Sequence, residues 1–459
     1  MMAISDIHLL APSLFDDGKA AQHLDASDMK MVLSSDLIMQ RMVDEIIAEK
    51  PQLLLISGDL TFNGERASHE RLVEHLQRLE KAGIRTYVIP GNHDVMCPYG
   101  KQYVGESPCA VPTVTKEEFA QIYGRFGYGN ASERDPNSLS YTCEPLPGLV
   151  LLAIDSNRYD ENQLSADGSS VEYHNDGAVK PETLEWIEMQ LGKAKIEDKR
   201  VIAMMHHHLL EHIDGEAKLL PNYIVANHNE VASMLNNGGV SVVFTGHLHI
   251  TDAVTSNGIT DVATGSASTY PLPMRTMTID RGMDSITIAT SFFTGIDSDL
   301  LLQGKQRVEN SAEAIAGLIA RRLWPKLNNG LDKLKLMLAS QGIELGELPQ
   351  SQQQLTALLI RHLKEPLAQS LIMITQGGED PAQAAAVIGA IKNGVKGMLS
   401  ELIPKGGDDI ADFLMEELLP RVEPILRSAL EDLNQVDTPQ QSATDDHNLV
   451  IRLCTTGCQ

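Results

Sequence analysis

The first 250 residues of this 459-residue chain carry five short motifs built from Asp, Asn and His. They are Asp6-Ile7-His8, Gly58-Asp59, Gly91-Asn92-His93-Asp94, His206-His207-His208 and Gly246-His247-Leu248-His249. By residue type these are metal ligands. Asp6 and His8, two apart at the end of a strand, point to the same side. A carboxylate beside an imidazole suits a borderline ion such as Mn²⁺, Fe²⁺ or Zn²⁺. Asp59 has lone pairs for two ions at once and can bridge them. Asn92 offers a neutral oxygen, which limits the ligand charge and leaves the ions electrophilic. His206, His247 and His249 complete two shells. Within the triple histidine, register makes His206 the ligand and His207 the second choice. A lone Asp-x-His or Gly-Asp is most often structural; five such motifs in one chain reverse that expectation.

Such side chains need a scaffold that delivers them to one place. Each motif follows, or nearly follows, an apolar run such as Leu53-Leu54-Leu55-Ile56 or Val242-Val243-Phe244. The carboxyl ends of parallel strands are where open α/β sheets build their sites. Apolar residues at helical spacing predict a helix over 36–49, stopped by Pro51, and a strand over 53–57 then delivers Asp59. A second helix is predicted over 66–81, with Leu72, Val73, Leu76 and Leu79 on one face and Gly83 as its cap. Strand 84–89 leads to Asn92. Residues 97–148 read as an excursion over the site with a helix near 116–125. Strand 149–154, helix 181–194 and strand 200–205 follow, and Thr- and Ile-rich segments over 251–291 are expected to complete a second sheet. The pattern predicts an α/β layered domain over 1–297. Over 298–434 strand signals vanish, and a helical domain is expected, punctuated at Pro325, Gly377-Gly378, Pro404 and Gly406-Gly407. Residues 435–459 read as a loosely ordered polar tail.

Composition narrows the partners. A formal net charge of −25, from 62 acidic and 37 basic residues, repels a nucleic-acid backbone, so long nucleic acid is a poor substrate. A small anion is still admissible, because bound ions set the field inside a metal site. No apolar run approaches the length of a membrane span. The cysteines Cys97, Cys109, Cys143, Cys454 and Cys458 form neither a zinc pattern nor a disulfide framework. Starting at Met1-Met2-Ala3-Ile4, the chain carries no signal peptide and reads as cytoplasmic; a removed leader would make it extracytoplasmic.

In order and spacing, the five motifs resemble the signature of the calcineurin-like metallophosphoesterases over residues 4–250. The resemblance implies a four-layer α/β/β/α sandwich, here followed by a mostly α-helical C-terminal domain. It implies two divalent metal ions, Mn, Fe or Zn. Asp6, His8, Asp59 and His249 would hold one; Asp59, Asn92, His206 and His247 would hold the other. It further implies in-line attack on phosphorus by a hydroxide held between the ions. His93, steadied by Asp94, would protonate the leaving oxygen. Phe62 stands where purple acid phosphatases carry a metal-binding Tyr, and the Arg of Ser/Thr protein phosphatases does not follow Gly91-Asn92-His93-Asp94. The runs Ser5–Leu14, Gly58–Glu65 and Asp135–Tyr141, with the helical extension, look like the bacterial cyclic-nucleotide phosphodiesterase branch. Many relatives read His-His-Pro where this chain has His206-His207-His208-Leu209.

The expected activity is hydrolysis of a small phosphodiester, with a cyclic nucleotide as first choice. A phosphomonoester, a glycerophosphodiester or a nucleotide-linked lipid is the alternative, since one such site serves many substrates. A catalytically silent interaction scaffold is third, disfavoured by the intact His93 and full ligand set. Asn157 and Arg158 are either substrate contacts or plain loop residues, and Tyr141 is packing. The helical domain is a candidate homo-oligomer interface or lid.

Overall fold

A computed structural model describes residues 1–164, 171–280, 282–340, 347–377, 380–403, 416, 423–430 and 446–454. The chain divides into two units, one of residues 1–304, 375–378 and 434–459 and one of residues 305–374 and 379–433.

Two large sheets build the first unit, beside two short two-stranded pairings at Lys101–Gln102 with Cys109–Ala110 and Gln163–Leu164 with Val171–Glu172, which are left out of the strand numbering. Its strands are β1 (Met2–Ile4), β2 (Leu53–Ile56), β3 (Arg85–Val88), β4 (Glu133–Arg134), β5 (Tyr141–Leu146), β6 (Leu149–Ala153), β7 (Arg200–Met204), β8 (Val240–Thr245), β9 (Asp252–Ser256), β10 (Ile259–Ala263), β11 (Pro273–Ile279), β12 (Ser285–Phe292) and β13 (Asn448–Arg452). One sheet runs β13-β12-β11-β1-β2-β3 and the other β9-β10-β8-β7-β6-β5-β4. Within the first, β1, β2 and β3 are parallel, with Ile4 opposite Ile56 and Ile56 opposite Val88. Within the second, β6, β7, β8 and β10 are parallel. Every ligand motif therefore leaves the carboxyl end of a parallel strand.

The side-chain period of two decides how the layers stack. In β7, Ile202 and Met204 join the large core cluster while Val201 and Ala203 join a separate one with Trp186, Ile187, Leu191 and Leu235. In β8, Val242 and Phe244 face the first cluster and Val243 the second. The second sheet is thus buried on both faces, which explains its near-continuous apolar runs. Helices α1 (Lys19–Ser27), α2 (Ser35–Glu49), α3 (Arg66–Lys81), α4 (Lys116–Ile122), α5 (Pro181–Ile196), α6 (Glu216–Leu219) and α7 (His228–Asn237) complete the unit. Leu72, Leu76 and Leu79 of α3 and Ile38, Met42 and Ile46 of α2 bury against the first sheet; α5 and α7 cover the second. The fold is the α/β/β/α sandwich. The left-handed Lys50 (φ 52°) ends α2 just before Pro51.

Three expectations are corrected. The late strands do not all complete the second sheet: β9 and β10 do, whereas β11 and β12 extend the first, because β11 pairs antiparallel with β1. Helix α4 ends at Ile122, where Tyr123 (φ −92°, ψ 21°) leaves helical geometry. The tail is not uniformly loose: Asn448–Arg452 forms β13 on β12, with Leu449 and Ile451 buried and Val450 exposed. Alternating apolar residues outweigh the polar flanks there.

The second unit is helical, containing most of α8 (Ser298–Ser340), most of α9 (Gln352–Gln376) and α10 (Pro381–Leu402). Pro325 does not break α8 and Pro366 lies inside α9. An interior Pro costs one backbone hydrogen bond, about 3 kcal/mol, and burial of Ala316 and Ala320 against Leu355, Leu359 and Leu363 offsets it. Gly377, at φ +66°, lies just past α9. Gly378, Pro404, Gly406 and Gly407 lie outside the described residues. No described helix is long and apolar enough to cross a membrane.

Arg275 on β11 is fully buried and links the two sheets. Its Nη2 donates to Ala263 O (2.6 Å) and Asp252 O (3.3 Å) of the second sheet, and its Nη1 to Thr290 Oγ1 and Asp446 O (2.5 Å). Burial lowers its pKa to about 10, so it stays charged at neutral pH. Replacing it by Met removes this donor from the buried carbonyls of Ala263 and Asp252, each loss costing about 1–3 kcal/mol, while Asp446 O keeps Thr290 Oγ1 (3.1 Å). Arg275→Met is expected to destabilise the first unit by about 2–6 kcal/mol, read as a lower urea midpoint. An unchanged midpoint would show that the carbonyls find other donors.

Candidate metal centre

Five chain segments converge behind the strand ends. Asp6 and His8 follow β1, Asp59 follows β2, Asn92 and His93 follow β3, His206 follows β7, and His247 and His249 follow β8. Five of these residues hold left-handed backbone: Asp6 (φ 52°), His8 (45°), Asp59 (46°), His247 (71°) and His249 (62°). A non-glycine residue there costs about 1 kcal/mol or more, so the surrounding structure must enforce it. Clearance is supplied by glycines. A Cβ on Gly91 would lie 2.1 Å from Asp59 Oδ1, one on Gly246 2.4 Å from Asp6 Oδ2, and one on Gly58 2.5 Å from His206 Nδ1.

The side chains form three overlapping groups able to hold a metal ion: Asp6, His8 and His249; His8, Asp59 and His93; Asp59, His206 and His247. His8 Nε2 lies 3.1 Å from His249 Nε2, and Asp6 Oδ1 lies 3.3 Å from His249 Nε2. His206 Nε2 lies 3.0 Å from Asn92 Oδ1 and 3.4 Å from Asp59 Oδ2. Asp59 Oδ2 is also 3.5 Å from His8 Nε2, which joins the groups. Ligands about 2.1 Å from one ion, at angles of about 90–109°, are about 3.0–3.4 Å apart. The observed spacings match the edges of such a shell, so the residues fit divalent metal ions.

Hydrogen bonds decide which nitrogen is offered. His206 Nδ1 donates to Ser57 O (3.0 Å), leaving Nε2 for a metal. His247 Nε2 donates to Asn222 O (3.0 Å), leaving Nδ1. A carbonyl acceptor on the far nitrogen fixes tautomer and ring together. His207 Nδ1 bonds Ser156 Oγ (2.8 Å) and Nε2 donates to Asn175 O (3.2 Å), so both its nitrogens are spent. Of the two readings of the triple histidine, the geometry favours His206. In place of the missing Pro, Asp261 braces the turn by accepting from Leu209 N (2.6 Å), Leu210 N (3.0 Å) and Thr245 Oγ1 (2.6 Å). His212 is buried between Asp252 and Asp261.

His93 sits at the edge of this cluster with Nε2 4.0 Å from Asp59 Oδ2. The expectation that Asp94 steadies it is corrected. His93 Nδ1 donates to Phe62 O (2.7 Å) and Asn63 Oδ1 (3.0 Å). The Asp94 carboxylate turns away and accepts from Leu60 N (3.0 Å), Thr61 N (2.8 Å), Thr61 Oγ1 (2.9 Å) and Gly91 N (2.8 Å). It clamps the loops carrying Asp59 and Asn92 to each other. Charge follows the geometry. Burial alone would raise the Asp59 pKa, but His206, His93 and His8 outweigh it and hold the carboxyl well below its usual range. Burial would lower that of His206, but Asp59 and Asp6 push it up to about 9. Burial lowers His8, His93 and His247. Burial, with Asp59, raises Asp94 to about 7.

Other neighbours carry no motif signal. Tyr173 bonds Asn92, Asn63 bonds His93, and the Tyr223 ring lies 4.8 Å from that of His247. Asn157 Nδ2 donates to Pro90 O (2.8 Å), and Arg158 pairs with Glu161 and Asp176, so both brace loops. Tyr141 is buried with its hydroxyl on Val88 O (2.9 Å).

Comparison with known proteins agrees with this geometry. Over 158 residues the chain is 30% identical to a protein named as a probable glycerophosphodiester phosphodiesterase from Arcobacter nitrofigilis, covering 34% of this chain and 42% of that one. Over 157 residues it is 25% identical to a probable cyclic nucleotide phosphodiesterase from Synechococcus, with the same coverage. The match thus spans less than half the length of these curated relatives. A dimetal phosphatase structure from Danio rerio aligns with 64% of this chain and 96% of its own at 15% identity, with a TM-score of 0.44. The family described as Calcineurin-like phosphoesterase matches residues 1–251, the stretch that carries every ligand motif. With the ligand groups and the sandwich in place around that stretch, the chain belongs to the calcineurin-like phosphoesterase family of metal-dependent hydrolases.

Proposed function

We propose that the chain hydrolyses a small phosphodiester, with a cyclic nucleotide as first substrate, at two divalent metal ions. The observation that carries this reading is the buried convergence of Asp6, His8, Asp59, Asn92, His206, His247 and His249 at metal-ligand spacing. Asp6, His8 and His249 would hold one ion and Asn92, His206 and His247 the other, with Asp59 between them. Bound there, the ions supply Lewis acidity and an activated water nucleophile. The protein's own part is positioning and proton transfer. His93, with Nδ1–H donated to Phe62 O and Asn63 and Nε2 4.0 Å from Asp59 Oδ2, acts as the imidazolium: it gives its Nε2 proton to the leaving oxygen, is left neutral, and takes a proton back from solvent. Asp94 keeps the Asp59 and Asn92 loops in register. The partly exposed ring of Tyr99 lies 5.0 Å from that of Tyr173, which lies 6.5 Å from that of His93, and would give a base a surface to stack on. That surface favours a nucleotide over the alternatives, a glycerophosphodiester or a phosphomonoester.

The test uses chelator-stripped protein reloaded with Mn²⁺. Turnover of bis(p-nitrophenyl) phosphate is expected to exceed that of p-nitrophenyl phosphate, and 3′,5′-cyclic AMP is expected to be cleaved faster than glycerophosphocholine. Monoester preference would overturn the diester reading; preference for glycerophosphocholine would replace the nucleotide.

His93→Ala is expected to lower kcat by about 10²–10⁴-fold while two Mn²⁺ per chain still bind. Asp59→Asn is expected to lose both metal and rate. Equal metal loss in the two variants would remove His93 from the proton-transfer role.

Metal loading must also displace a proton. Without metal, His206 holds its proton up to about pH 9, yet a ligand imidazole is neutral. Affinity is therefore expected to rise with pH from 7 towards about 9 and level off above. Calorimetry of Mn²⁺ binding in buffers of different ionisation enthalpy reads the released proton, and a pH-independent affinity would contradict it.

A further inference from the structure

The geometry points to Tyr173 as the positioning residue that sets the amide of Asn92 with its oxygen towards the metal ions; this rests on the proposed two-metal site. A carboxamide has two faces of similar size and opposite polarity, and only Oδ1 can ligate a cation. Turned the other way, Asn92 would aim an NH₂ group at the ions. Its own side chain has no preference between these states, so a neighbour must decide.

Tyr173 does so through two hydrogen bonds to the same residue. Its hydroxyl donates to Asn92 O at 3.1 Å. The phenol has one proton, and that bond uses it. What remains facing the Asn92 side chain is an oxygen lone pair, which can only accept. Asn92 Nδ2 donates to it at 2.8 Å. The amide nitrogen is thereby held outward, and Oδ1 is left 3.0 Å from His206 Nε2, the atom that itself faces Asp59. One hydroxyl thus reads the backbone of Asn92 and orients its side chain.

Tyr173 is itself held on several sides. Its ring lies edge-on to Tyr99 at 5.0 Å and to His93 at 6.5 Å. Just after it, His174 N donates to Asn162 Oδ1 at 2.8 Å and Asn175 O accepts from His207 Nε2 at 3.2 Å. Arg158 pairs with Asp176. The triple histidine therefore contributes at two levels: His206 faces the ions and His207 holds the segment that carries Tyr173.

The test is Mn²⁺ titration of chelator-stripped protein, with bound Mn²⁺ read by electron paramagnetic resonance. Wild type, Tyr173→Phe, Asn92→Ala and the double variant are compared. Tyr173→Phe keeps the ring contacts and removes only the hydroxyl. It is expected to weaken one of two Mn²⁺ sites by about 10–100-fold and leave the other unchanged, as for a group that orients a ligand. In Asn92→Ala the second substitution should add nothing, because the hydroxyl then has no amide to orient. Wild-type affinity at both sites in Tyr173→Phe would overturn the inference alone. So would a full additional loss in the double variant, which would show a general structural role. Failure of wild type to bind two Mn²⁺ would sink the metal-site reading and this inference together.

Discussion

A buried carboxylate facing several imidazoles is the constraint on which the rest of the first unit depends. Asp59 has almost no exposure to solvent, and within 4.0 Å of its Oδ2 lie nitrogens of His8, His93 and His206. Such a group persists only if charge is balanced in place, by a proton on His206 or by metal ions. Everything around it serves that balance. Glycines before Asp59, Asn92 and His247 clear the space, left-handed backbone turns the side chains inward, and Asp94 ties two of the loops together.

Rigid parallel strands make this arrangement affordable. β1, β2 and β3 end side by side in one sheet and β7 and β8 in the other, so ligands separated by up to 243 residues in sequence meet across the two sheets. Strand ends are displaced less than loop tips, because each is fixed by a ladder of backbone hydrogen bonds. The long-range connections then act on orientation rather than on placement. Ser57 O and Asn222 O choose ring tautomers, and Asp261 holds the turn after His206.

How much of this was legible in the sequence follows from the range of each interaction. Ligands announced themselves because type and spacing are local: Asp6 and His8 are two apart, as are His247 and His249. Helices 36–49 and 66–81 were legible through their periodic apolar faces. Asp94 was misread because adjacency to His93 says nothing about side-chain direction; its carboxylate reaches back to Leu60 and Thr61. Tyr173 was missed because its partner lies 81 residues away and no pattern surrounds it. The affiliation of β11 with the first sheet was hidden for the same reason, since strand pairing is a tertiary choice. β13 was missed because five alternating residues are a weak signal inside a polar stretch.

The position of β13 has a consequence for the order in which the molecule is made. The strand lies beyond the helical unit in the chain, yet it pairs with β12 in the sheet that carries Asp6 and Asp59. Arg275 likewise waits for the carbonyl of Asp446. During synthesis β1 to β12 emerge first, and the β12 edge stays open until some 150 further residues have been translated. An open edge strand is a template for pairing with other chains. The nascent chain is therefore most exposed to misassembly while its helical portion is still being added, a vulnerability of biosynthesis rather than of the finished protein.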